Sequence, residues 1–135
     1  MMIGIDSVRE ALIDYLKSKA TITTALGGST EIREREWQGT EFTYPNVRVA
    51  IVRMVPQLAG ECNIFDCPFV ISVRSELAQS SQADNIAGII NTALHRRSFE
   101  QNGVRFMVWT TLVEAIREDT RTWRAQVIGQ ATVNG

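Results

Sequence analysis

The residues most able to do chemistry are few in this chain, and their spacing does not bring them together. His95 is the single histidine. A general-base histidine needs a nucleophile within reach and a carboxylate to orient its ring, and no spacing supplies either. His95 stands instead with Arg96 and Arg97 at the end of an amphipathic segment, where cations complement the negative end of a helix dipole. Cys62 and Cys67 are the only cysteines. A structural zinc needs four ligands, and these two have no second pair and no nearby histidine, so no metal site is expected. Cys67 leads into a strand and reads as a small buried hydrophobe, whereas Cys62, on a loop, reads as an exposed thiol. Gly27-Gly28 lacks the Lys-Ser/Thr of a phosphate loop and reads as a helix stop. No catalytic residue, no cofactor and no metal is expected.

Binding surfaces have more to work with. Trp37, Trp109 and Trp123 have faces that could stack on bases, but such platforms sit in basic grooves. Here 14 Lys+Arg stand against 15 Asp+Glu, a net charge of −1. Trp109 and Trp123 fall in apolar strands and are expected in the core. Trp37 borders a polar loop and is expected to anchor an interface. The alternating charges of Glu31 to Glu36 read as a solvated edge strand with weak ion pairs, or as a subunit contact in which the signs fix register. The connection Pro56 to Asp66 carries Leu58, Cys62, Ile64 and Phe65. Apolar side chains on a loop either fold back over the core or wait for a partner.

The elements that must position these residues are legible from periodicity. At 135 residues, 44% hydrophobic and 21% charged, the chain is expected to form one globular domain, residues 1–135. Its start shows no signal-peptide pattern, and no apolar run approaches the length of a membrane span. A reducing, intracellular origin is the default for two cysteines. Ser7-Val8-Arg9-Glu10 has the form of a capping box, followed by Val8, Ala11, Leu12, Tyr15 and Leu16 on one helical face. A short turn from Thr21 ends at Gly27-Gly28. A strand from Asn46 to about Val55 follows Tyr44-Pro45.

Phe69, Ile71 and Val73 alternate as a strand. Ser80 and Ser81 cap a helix bearing Ala83, Ile86, Ala87, Ile90, Ala93 and Leu94 at helical spacing. His95 to Gln101 reads as a polar exit. After Asn102-Gly103, Val104 to Val113 is apolar on both faces, as in a central strand. Arg117 to Thr120 reads as a turn. Thr122 to Val133 reads as a last strand with one apolar and one polar face, so the sheet is expected to be covered on one side. The fold class is α+β: a mainly antiparallel sheet with two main helices packed on one face.

In this order, Ala11 to Gly28, Tyr44 to Ile51, Phe69 to Leu94 and Gly103 to Val127 resemble the tail terminator and tail-completion (head–tail joining) proteins of long-tailed bacteriophages, the lambda tail terminator among them. The resemblance covers most of the chain, carries no catalytic motif, and does not extend to the loop Pro56 to Asp66. It implies a structural virion protein, assembled in the host cytoplasm, that forms a ring with copies of itself, usually six-fold; the alternative readings are another head-completion or tail-tube protein, or a small non-enzymatic ligand-binding α+β domain. The implied partners are the tail tube protein, whose growth the ring ends, and the head–tail connector protein. DNA would pass through the lumen without specific binding. On this reading Trp37, Leu58, Cys62, Ile64 and Phe65 are the interface candidates. Replacing Leu58, Ile64 and Phe65 by serine is expected to spare the fold and weaken capping.

Overall fold

The computed structural model describes residues 4–56, 64–76, 81–117 and 122–134. Three helices, α1 (Ile5–Lys17), α2 (Ala20–Leu26) and α3 (Ser81–Leu94), accompany seven strands: β1 (Ile32–Glu34), β2 (Asn46–Ile51), β3 (Val55–Pro56), β4 (Ile64–Ser75), β5 (Arg97–Gln101), β6 (Val104–Arg117) and β7 (Trp123–Asn134). They form one sheet in the order β1-β2-β4-β7-β6-β5, with β3 paired to the start of β4. Every described pairing is antiparallel except β1 with β2. The class is therefore α+β with a mixed, mainly antiparallel sheet.

The inner face packs on α1 and α3, and α2 rests against those two helices. Period-two alternation decides which side chains go there. Phe69, Ile71 and Val73 of β4 lie opposite Gly129, Val127 and Ala125 of β7, and all six residues are buried. They meet Val8, Ala11, Leu12 and Leu16 of α1 and Ala83, Ile86, Ala87 and Ile90 of α3 in one core. Burying a side chain such as Phe69 contributes about 1.5–3 kcal/mol. Tyr15 stacks on Phe99, with ring centroids 3.5 Å apart, and Phe99 on Phe106 at 4.8 Å. The Tyr15 hydroxyl donates to the Ala93 carbonyl at 2.9 Å, tying α1 to the last turn of α3. Cys67 is buried as expected. Burial pushes its thiol up to about 11, so it stays protonated and inert at neutral pH.

Several expectations change. The helix α1 begins at Ile5, ahead of the capping-box serine Ser7, with Gly4 as N-cap and no side-chain cap bond. Gly27 does end α2, in the left-handed conformation at φ 77°. The charged segment after it is an edge strand, but a short one, and Glu31 and Ile32 are buried rather than solvated. The strand from Asn46 ends at Ile51, and Val55–Pro56 pairs separately with Phe65 and Asp66. The supposed polar exit from α3 contains β5, joined to β6 by a hairpin in which Asn102 and Gly103 both take positive φ. That is the backbone a two-residue Asn-Gly turn favours. Finally, β6 is not central: the middle of the sheet is β4 and β7.

Candidate assembly interface

The outer face, away from the helices, divides into a sealed half and an open half. The sealed half lies over β1 and β2. Arg48, on the outer side of β2, donates from Nη1 to the carbonyls of Glu31 (2.7 Å) and Val47 (3.0 Å), and from Nη2 to Glu31 Oε1 (3.2 Å). Glu31 Oε2 accepts from the Thr43 backbone N–H at 3.1 Å, which fastens the β1–β2 connection down. The side chains of the Arg48–Glu31 pair are 8% and 9% exposed. Burial pulls the Arg48 pKa down, and the hydrogen bond and charge of Glu31 oppose that pull. A buried pair with its remaining donors and acceptors bonded is tolerated where a lone buried charge is not.

Trp37 belongs to this seal. The Arg33 guanidinium carbon sits 3.7 Å from the indole centroid and that of Arg48 5.3 Å. Such contacts are worth about 0.5–2 kcal/mol, more when desolvated. Trp37 remains half-buried. On the far side of the strand, Arg9 of α1 meets Glu34 at 3.0 Å, a partly exposed pair worth under about 1 kcal/mol.

The open half lies over β7 and β6. Successive cross-strand rows on the outer face read Asp66–Thr132–Met107, Pro68–Gln130–Trp109 and Val70–Ile128–Leu112. Met107 is 57% exposed, Trp109 38% and Leu112 46%. Pro68, Val70 and Ile128 beside them are half-buried. Trp109, expected in the core, is therefore a surface residue. It was misplaced because Val104 to Val113 is apolar on both faces, and a doubly apolar strand is the usual mark of a central one. Here β5 covers only Val104–Val108 of β6, and β6 continues past it to Arg117.

A β-bulge makes the open patch continuous. Thr110 lies opposite Gly129 and Leu112 opposite Ile128, so Thr111 is the extra residue. Before the bulge the odd-numbered residues of β6 face outward; after it the even-numbered ones do. Trp109 and Leu112 thus share a face although their spacing alone would separate them. Gly129 is required opposite the bulge: a Cβ there would lie 2.6 Å from the Trp109 carbonyl oxygen and 2.7 Å from Phe69 Cζ.

The expected interface residues are not brought together. Ile64 and Phe65 are not loop residues but open β4. Ile64 lies at the end of the outer face opposite Asn134, and Phe65 packs against the core from the inner side. Trp37 lies at the other end of the sheet. Leu58 and Cys62 lie outside the described residues, as do Ser80 and most of the turn after Arg117. Sequence reading missed Met107, Leu112 and Ile128. Only a bulge, which leaves no mark in composition or period, puts Leu112 with the others. His95, also exposed, accepts a hydrogen bond from the Thr110 backbone N–H at Nδ1, 3.1 Å away. A second surface, a groove of about 1110 Å³ beside α2 and α3, is lined by Ala25, Gly88, Ile89 and Ala93 among others.

Among the described residues, then, the sheet is closed by helices on one side and exposes apolar side chains on the other. A chain described as "Virion of native gene transfer agent (GTA) particle" shares the fold, with a TM-score of 0.78 over 95% of both chains at 19% identity. No curated protein sequence matches the chain. The family model of tail completion protein gp17 matches residues 10–134. The chain belongs to that family, and so to the structural proteins of phage-type tails and virions.

Proposed function

We propose that this protein is a tail terminator: copies of it close into a ring on the last ring of the tail tube, stop its growth and present a docking face to the head connector. The observation that carries this is the open outer face of β6 and β7, with Met107, Trp109 and Leu112 exposed. Large apolar side chains clustered at a surface mark a place meant for contact with another protein. Membership in a tail-completion family supports reading that contact as one made in a tail. A heterologous contact repeated between copies closes into a ring when its rotation divides a full turn, and six copies is the expected number. The tube protein would meet one axial face. The other axial face would lack the surface on which the tube protein adds, which ends growth. On this reading Ile64, at the end of the same outer face, and Trp37, at the opposite edge of the sheet, would take part in contacts between neighbouring copies. The connection carrying Leu58 and Cys62 is the proposed contact with the tube.

The test replaces Trp109 and Leu112 together by serine. The expected outcome is a folded monomer by circular dichroism, loss of the ring by mass measurement with tubes present, and tails longer than normal by electron microscopy. Normal ring mass and normal tail length in that variant would overturn the assignment of this face.

A further inference from the structure

The open patch exists in its present composition only because β6 is bulged at Thr111, and the bulge is held from outside the sheet. The Thr110 backbone N–H donates to His95 Nδ1 at 3.1 Å. The Thr110 hydroxyl donates to Asn91 Oδ1 and lies 2.9 Å from the same His95 nitrogen. Thr111 Oγ1 donates to the Ile128 carbonyl at 3.2 Å. A backbone N–H can only donate, so Nδ1 must offer a lone pair, and the ring carries its proton on Nε2. The hydroxyl has one proton, and Asn91 takes it. The backbone bond from Thr110 to His95 therefore depends on a neutral imidazole, and the hydroxyl bond to Asn91 does not.

We propose that His95 and Asn91 are positioning residues that act through Thr110: they hold the β6 bulge that sets Trp109 and Leu112 on one face, and protonation of His95 releases the backbone part of that hold. A proton added at Nδ1 turns the acceptor into a donor. The new N–H points at the Thr110 hydroxyl oxygen, 2.9 Å away, and bonds to it, while the Thr110 backbone N–H loses its partner. The side-chain link survives, and the backbone anchor of the bulge does not. The groups that touch Nδ1 come from β6 and belong to Thr110, which does not titrate; Asn91 of α3, bonded to Thr110, does not titrate either. Charge on the surrounding elements is carried by Arg96 and by Arg97 and Glu100 of β5, by Arg105, Glu114 and Arg117 of β6, by Arg124 of β7 and by Asp84 in the first turn of α3. That the positioned patch binds a second copy of the chain rests on the tail-terminator reading; the latch itself does not.

Hydrogen exchange at the Thr110 amide, read by NMR and corrected for intrinsic rate, tests the latch on the wild-type chain in a pH series from about 8 to about 5. Protection should fall about fivefold to tenfold across that range, as for the loss of one backbone hydrogen bond. His95→Asn, whose side-chain oxygen can accept in place of Nδ1, should keep the protection and lose its pH dependence. His95→Ala should lack the protection at every pH. Equal protection at both pH values in the wild type, or unchanged protection in His95→Ala, would overturn the latch. Ring mass, measured on the same variants, reports separately on the assembly reading: a latch that behaves as stated with no effect on mass would leave the latch standing and remove its link to assembly.

Discussion

The two halves of the outer sheet face solve one problem in opposite ways. Over β1 and β2 the chain covers its own sheet, folding the β1–β2 connection down and burying Arg48, Glu31 and part of Trp37. Over β6 and β7 no described residue covers the strands, and Met107, Trp109 and Leu112 stand exposed. The sealed half is polar inside and complete within one chain, because a buried charge must find its partner before folding ends. The open half is apolar and incomplete, and apolar surface can wait in water at modest cost until a partner arrives. Stability should therefore be concentrated at one end of the sheet and association at the other.

Three substitutions break or sharpen that contrast. The largest effect is expected from Arg48→Met, which leaves the Glu31 carboxylate buried without its main partner. Removing one member of such a pair costs about 3–5 kcal/mol, and urea unfolding of the monomer should show a loss on that scale. A loss below about 1 kcal/mol would mean that water reaches Glu31 and that this half is not sealed. Next comes Gly129→Ala. The added methyl meets backbone at Trp109 and Thr110 and the ring of Phe69, and overpacking of this kind costs about 1–3 kcal/mol. The same variant should disturb the bulge and weaken association, so it falls between the two halves in kind as well as in size. The smallest effect on the monomer is expected from Trp109→Ser with Leu112→Ser, within about 1 kcal/mol by urea unfolding, although association should fail. A large loss of monomer stability there would show that the patch already serves the core.

Much of the fold was legible because most of its elements obey a single period. The apolar stripes of α1 and α3 and the alternation in β4 and β7 mark their buried faces residue by residue, and Gly27 marks the end of α2. What escaped has physical causes. β5 is an edge strand whose only large apolar residue, Phe99, is spent on the stack between Tyr15 and Phe106. Arg97, Ser98, Glu100 and Gln101 made it look like a loop, although Asn102-Gly103 carried the hairpin signal. The charged run around Glu31 looked solvated because the burial of a charge depends on Arg48 and Thr43, both distant in sequence. The open patch was invisible for a different reason: Trp109 and Leu112 join only through one inserted residue and a glycine on the neighbouring strand. The family resemblance was readable from the order of the elements, and the exposed apolar patch of β6 and β7 was not.

Twelve consecutive residue pairs join β4 to β7 along their whole length, whereas β1 is joined to β2 by three. A tension applied lengthwise meets the long ladder in shear, so its bonds must give way almost together. The short edge ladder offers so few that it can be peeled away first. The middle of this subunit is accordingly a stiff spar, and what yields under strain lies at its margins.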